Sequence, residues 1–358
     1  MTPPADTPSI AERFRQCMTR LPYATAGLPG VGGAIKAIPE HFEVAELLPY
    51  AACGEGEHLF VTLRRKGWNT TDVAATLAEP FGLRPGEVGW GGRKDKQAVT
   101  TQTFSIPLPL RTDLATAEAR LAALPFEMLS IARHRNKIKT GHVAANRFRI
   151  VLSGVTTDHA LAPALAIADR LRRDGLPNFY GEQRFGIDMG NLERAMALVQ
   201  RQRPARGKQN AFQVSVLQSA LFNVWLAERI RRGDGAAILQ GDVAQKCDTG
   251  GLFVVDDAAE ASERFAGRAI VYTGPIYGHK MMPAAASAAL YEQQVLADYD
   301  LADHELFKKL RAPGSRRRAL LYLDDLLIEP HPEGLCLRFT LPTGAYATTV
   351  LREFTRTP

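Results

Sequence analysis

Apolar residues Leu59, Val61 and Leu63 alternate with other residues, the period of a half-buried strand. A helix is predicted next: Asn69 or Thr70 can cap it, Asp72 sits in its first turn, and Val73 and Leu77 form an apolar stripe that Pro80 interrupts. There follow a short strand at 88–90, a polar loop at 91–102, and a strand through Phe104 and Ile106. A helix within 112–124 and strands at 127–133 and 147–152 continue the alternation, which predicts a layered α+β fold. A capped helix at 157–174, stopped by Gly175, leads into a different texture. Helical periods dominate 191–200, 214–231 and 288–298, with short strands at 252–255 and 270–272, and strand patterns return at 319–323 and 335–341. The pattern is that of one sheet domain, 31–174 and 318–358, interrupted by a helix-rich insertion at 175–317.

Composition places the chain among ordinary globular proteins. Its 358 residues are 46% hydrophobic and 23% charged, enough for two domains and unlike a disordered chain. Residues 1–30 are expected to be a mobile lead-in. The glycine cluster from Gly27 to Gly33 within it lacks a preceding strand, the third glycine of a dinucleotide fingerprint and the Gly-Lys-Ser/Thr ending of a phosphate loop. Cys17, Cys53, Cys247 and Cys336 are far apart, so no zinc or redox pair is indicated. No apolar run approaches the roughly 20 residues of a membrane span, and Asp6 with no apolar stretch argues against a secretory signal. A cytoplasmic protein with no membrane contact is expected.

Charge narrows the partner. Lys plus Arg at 44 against Asp plus Glu at 38 leaves +6, and the excess is concentrated. Arg133, Arg135, Lys137, Lys139, Arg147 and Arg149 form one cluster without an acid; Arg201, Arg203, Arg206 and Lys208 a second; Lys308, Lys309, Arg311 and Arg316 to Arg318 a third. Any one cluster suits a solvated face, but three suit the phosphates of a nucleic acid. Asn146 and Phe148 interleave the first, and a flat ring beside cations can stack an unpaired base. Asp95, between Lys94 and Lys96 in a glycine-started loop, is a carboxylate kept ionised by its neighbours, as a nucleophile must be. No second carboxylate is near in sequence and no GxSxG turn is present, so glycosidase and serine-hydrolase chemistry are not indicated.

The stretch Gly92-Arg-Lys-Asp-Lys-Gln-Ala-Val-Thr-Thr-Gln102 resembles the catalytic motif of the TruD family of transfer RNA pseudouridine synthases. Six further stretches match that family in the same order: Lys36 to Val44, Gly54 to His58, Lys139 to Phe148, Pro177 to Gly186, Thr273 to Gly278, and Leu341 to Thr348 with Arg352 and Glu353. The resemblance implies a pseudouridine-synthase mixed-sheet catalytic domain interrupted by the family's own inserted α/β TRUD domain. It implies Asp95 as the nucleophile, Lys36 as the active-site lysine, Lys94 beside the substrate, Asn146 and Phe148 as the residues that hold and stack the target base, and Tyr346 as the ring against the uracil. Tyr346 stands where the family often has Phe, and Ala145 replaces the usual glycine before the asparagine. Phe148 alternates with Arg147 and Arg149, so a core-facing position fits it as well. The stretch from Gly181 to Gly186 suits a hinge as readily as an RNA contact.

The implied reaction isomerises uridine, at position 13 of transfer RNA, and consumes nothing; no metal or other cofactor is expected. Arg133, Arg135, Lys137, Lys139, Arg316, Arg317 and Arg318 are the expected backbone contacts, in a monomer with no protein partner. A non-catalytic RNA-binding protein or chaperone on the same fold is the alternative, though it would have no need of Asp95. A methyltransferase would require a glycine-rich cofactor loop that is missing.

Overall fold

The computed structural model describes residues 8–201, 207–303 and 305–356. The chain begins with α1 (Ile10–Thr19), β1 (Ala34–Ile35), β2 (Phe42–Leu47), β3 (His58–Lys66), α2 (Thr70–Ala78), β4 (Gly89–Trp90) and β5 (Val99–Pro107). Next are α3 (Leu114–Ala122), β6 (Glu127–His134), β7 (Ala145–Ser153), α4 (Thr157–Asp174) and β8 (Leu176–Pro177). The middle holds α5 (Gly190–Gln200), α6 (Gly207–Arg231), β9 (Val243–Lys246), β10 (Leu252–Val254), α7 (Ala258–Ala266), β11 (Ile270–Ile276), α8 (Ala286–Asp298), α9 (Leu306–Lys309) and β12 (Ser315–Arg318). The chain closes with β13 (Leu320–Leu321), β14 (Leu327–His331), β15 (Gly334–Pro342) and α10 (Ala347–Thr355).

The main sheet runs β14-β15-β7-β2-β5-β3-β6, with β1 added to β7 and β4 to β5. Every pairing in it is antiparallel except β2 with β5. Strand β2 alternates buried and half-buried residues, sending Phe42, Val44 and Glu46 to one face. On that face α4 and α10 cover a core of Ile150, Leu171, Leu337, Val350 and Phe354. Farther along, α2 and α3 cover Leu59, Val61, Leu63 and Phe104. Helix α4 matches its predicted bounds, because Asp174 is followed by Gly175 at φ +83, a conformation glycine adopts without strain.

Strands β8 and β13 pair where the chain leaves the sheet domain and where it returns. Between them the middle of α6 is buried on every side, by a four-stranded sheet, β10-β9-β11-β12, and by α1, α5 and α8. A side chain at Gly274 of β11 would meet Trp225 of α6 at 2.4 Å, so the strand can lie on the helix only with glycine there. Strand β12, which runs through the arginine cluster, pairs with β11 and is missed by a hydrophobic pattern.

The expected mobile lead-in over 1–30 is corrected for its described part. Ser9 caps α1 by accepting the Glu12 N–H at 3.2 Å. Phe14 and Met18 are buried in the core of the inserted domain, with the Phe14 ring 4.2 Å from that of Tyr299. Beyond α1, Arg352 of α10 donates to the Leu21 and Pro22 carbonyls at 2.7 and 3.1 Å. The buried Glu353 carboxylate accepts the Ala24 and Thr25 N–H groups at 3.1 and 3.0 Å. These bonds are made by residues more than 320 positions away, so local composition carries no sign of them. Residues 1–7 of that expectation lie outside the described residues.

Candidate active site

Asp95 lies in the loop between β4 and β5, and Lys36 directly follows β1. The pairing of Ala34 and Ile35 with Ser153 and Leu152 of β7 delivers Lys36 to the sheet face. Its φ of +59 is left-handed, a conformation that costs a non-glycine residue and recurs at functional sites. The Lys36 ammonium forms an ion pair with the Asp95 carboxylate and stands 4.3 Å from the centroid of the Phe42 ring. The Gln97 N–H donates to the other Asp95 oxygen at 2.9 Å. Partial burial by itself raises the Asp95 pKa; the bonds from Lys36 and Gln97 and the Lys36 charge outweigh it and hold the carboxyl below its ordinary value. The Asp95 side chain is 43% exposed, open to an incoming substrate.

The loop that carries Asp95 is fixed from below by a buried polar network. The Lys94 Nζ lies 2.6 Å from a Glu46 oxygen, with both side chains nine-tenths buried or more. Gln102 donates to Glu46 at 3.0 Å and to the Gly92 carbonyl at 2.7 Å. The Thr70 hydroxyl accepts the Lys94 N–H at 2.9 Å. Arg65, also buried, donates to Gln102 and Thr70 at 3.0 Å each. Burial lowers the Arg65 pKa to about 10, with the Glu46 charge opposing, so the guanidinium stays charged at neutral pH. The expectation of Lys94 beside the substrate is corrected: it points down into the fold, where removal from water is offset by Glu46. At Gly91 a side chain would meet Val143 at 2.4 Å and Glu46 at 3.1 Å, which explains the glycine at the loop's start.

Asn146 of β7 stands opposite Glu46 of β2 and Leu341 of β15. Its buried Oδ1 has no hydrogen-bond partner among the described residues, an unmet acceptor. Phe148 is only 9% exposed. Its ring stacks on Phe339 at 5.3 Å and meets the edge of Phe42 at 6.0 Å, so the core-facing reading wins over an open stacking surface. Tyr346 caps α10 and is half-buried, its ring 5.9 Å from that of Tyr180 in the segment entering the inserted domain. Asn223 of α6 holds Tyr180 by both its backbone groups, at 2.8 and 2.9 Å. In the same segment Gln183 accepts from the Thr348 hydroxyl at 3.1 Å, and Arg184 donates to Ser215 and Ser219 at 2.7 and 3.1 Å. The Gln183 bond joins the inserted domain to α10 of the sheet domain, whereas the Arg184 bonds lie within the inserted domain.

The basic clusters divide. Arg316 is a correction: its side chain is fully buried, 2.6 Å from Glu292. Arg317 donates to Asn178 and to the Gly344 carbonyl, with its guanidinium 4.0 Å from the Tyr180 ring centroid. Arg318 donates to Gln245 at 2.6 Å. All three hold the inserted domain together or to the sheet domain; Arg316 is closed off from solvent, while Arg317 and Arg318 are only half-buried. Arg133 is likewise spent, donating to the carbonyls of Gly56, Leu108, Pro109 and Thr112. Arg135 is exposed and paired with Glu55, Lys137 donates to the Gly86 carbonyl at 3.0 Å, and Lys139 is exposed. Arg203 and Arg206 lie outside the described residues.

Phe42, Glu46, Arg65, Thr70 and Gln102 are the site residues that sequence reasoning missed. One signal was present: Glu46 is a carboxylate in phase with Phe42 and Val44 on the buried face of a strand.

A solved structure from Methanosarcina mazei that carries the family name TruD superposes with a TM-score of 0.76 over 98% of this chain and 99% of that one, at 23% identity. The two share one fold, a mixed-sheet domain into which a second, helix-rich domain is inserted. The model of the family tRNA pseudouridine synthase D (TruD) matches residues 19–203 and 203–354. The tRNA pseudouridine synthase D of Anaeromyxobacter dehalogenans is 41% identical over 347 residues, 95% of this chain and 97% of its own. That of Thermus thermophilus is 40% identical over 336 residues, 93% of this chain and 92% of its own. The chain belongs to the TruD family.

Proposed function

We propose that the protein isomerises uridine to pseudouridine in transfer RNA, at position 13, with Asp95 as the nucleophile. The observation that carries this reading is the Lys36–Asp95 ion pair, held on a rigid loop and open to solvent, in a chain of this family. The carboxylate adds to the substrate as the N1–C1′ bond breaks and the uracil leaves with the bonding electrons. The freed base turns, C5 bonds to C1′ as the carboxylate departs, the C5 proton is lost and N1 gains one. No atom is consumed, so the chemistry calls for no cofactor.

The target base must leave its stack before Asp95 can reach it, at a cost of a few kcal/mol. Tyr346 supplies a ring for the displaced uracil, and the unpaired Asn146 Oδ1 is an acceptor for its N3–H. Phe148 acts from behind by fixing Phe42, which in turn seats Lys36. We place this work in the cytoplasm, by a monomer without a protein partner. All four cysteines are free, and among the described residues no helix is long and apolar enough to cross a membrane. The test is to incubate unmodified transfer RNA transcripts with the protein and map pseudouridine by carbodiimide primer extension. A stop at position 13 is expected; RNA bound with every uridine unchanged would establish the RNA-binding alternative instead.

A further inference from the structure

We propose that a pocket of about 420 Å³ beside the catalytic loop takes one phosphodiester of the substrate RNA strand. The proposal rests on the RNA reading above and adds a subsite to it. The pocket is lined by Tyr50, His134, Asn136, Lys137, Lys139 and His142, in which no carboxylate takes part. It adjoins Asp95 through the backbone: the Gly141 N–H donates to the Gly91 carbonyl at 2.8 Å, four residues before the nucleophile. The Ala144 N–H donates to Leu47 at 2.9 Å, so both ends of this turn are fastened to the strands that hold the site.

The lining is matched to a ligand that only accepts hydrogen bonds. The Cys53 N–H donates to His134 Nδ1 at 3.3 Å, which puts the proton of the neutral ring on Nε2. The Tyr50 hydroxyl is 2.7 Å from His142 Nδ1; with the phenol donating, that ring too carries its proton on Nε2. Lys137 spends one of its three N–H groups on the Gly86 carbonyl and keeps two, while Lys139 is exposed. Tyr50 is itself immobilised, its ring stacked at 5.3 Å on His134, whose ring lies 4.3 Å from that of Phe60. Of the nearby acids, Glu55 is engaged by Arg135 and Glu87, which also feels the Lys137 charge, by Arg84. Donors from three residue types around one hollow, with two full positive charges, fit the non-bridging oxygens of a phosphodiester.

The test pairs Lys139→Ala, and separately His142→Ala, with substrate stem-loops in which each phosphodiester near the target is replaced singly by a neutral methylphosphonate. Affinity is measured over a range of salt by fluorescence anisotropy. In the wild-type protein one linkage is expected to weaken binding and to flatten the salt dependence by about one counterion. Either variant should bind the native RNA more weakly than the wild type does, and that same linkage should cost each variant less than it costs the wild type. Equal losses in variant and wild type at every linkage would overturn the subsite, as would native affinity in both variants. Because binding is read without turnover, a protein that converts no uridine would still report on the pocket. Lys139 is exposed, so its truncation leaves the fold intact even if His142→Ala does not fold.

Discussion

Lys36 and Asp95 are 59 positions apart in the chain and meet as an ion pair, the lysine held at φ +59 by a two-residue strand and the aspartate by a loop anchored in the core. The ammonium keeps the carboxylate ionised and aims one of its oxygens. The two residues therefore act as one acid–base unit, and its consequences can be measured.

The first consequence concerns pH. The Asp95 carboxyl titrates below its ordinary value, so the active anion is present throughout the neutral range and is lost only in strong acid. Lys36→Met removes the Lys36 bond and charge and leaves only the Gln97 bond to oppose desolvation. The acidic limb of kcat/KM should move up in pH. An unmoved limb would show that Lys36 does not set the ionisation of Asp95.

Asp95→Asn keeps the shape of the side chain and loses the carboxylate proposed as the nucleophile. Transfer RNA binding should persist while conversion disappears in single-turnover assays. Residual turnover within about tenfold of wild type, a difference of only about 1.4 kcal/mol in barrier, would remove Asp95 from the role.

Glu46 acts through the residues it holds. Glu46→Gln leaves the Lys94 ammonium buried without its counter-charge and loosens the bonds that seat Gly92 and Lys94. A displacement of the nucleophile by about 1 Å can cost on the order of 100-fold, so kcat should fall with KM nearly constant. Lys94→Met in the same background should restore part of the rate, by removing the unpaired charge. No rescue would mean that Glu46 does not work through Lys94.

Arg316→Ala and Lys139→Ala should differ in kind. Breaking the buried Arg316–Glu292 pair should destabilise the fold by about 3–5 kcal/mol and lower Tm, with the salt dependence of RNA binding unchanged. A flattened salt dependence without loss of stability would return Arg316 to the RNA surface.

Phe148 and Tyr346 separate packing from stacking. Phe148→Ala should cost about 3–5 kcal/mol of stability, because its ring is enclosed by Phe339 and Phe42. Tyr346→Ala should leave stability nearly intact and cost about 1–3 kcal/mol of stacking, read as slower turnover. Thermal melts beside single-turnover rates decide; if the two variants exchange behaviours, the assignments exchange with them.

Short-range order was legible in the amino-acid sequence. The alternation at Leu59, Val61 and Leu63 and the periodicity of 157–174 place a strand and a helix where the structure has them, since strand and helix period are set by local geometry. The family was legible too, because Asp95 and its flanking loop form one contiguous segment. What tertiary structure alone decided was the fate of charge. Arg316 and Lys139 read alike, each in a basic cluster; the first is buried against Glu292 of α8 and the second is exposed. Lys94 adjoins Asp95 in sequence and turns inward because Glu46 of β2 waits there. The helix of 10–19 looked like a loose end until the inserted domain, nearly two hundred residues on, supplied the surface for Phe14 and Met18. Whether a cation meets water, a carboxylate or a phosphate depends on the desolvation and the partner it finds, and both are contributed by residues distant along the chain.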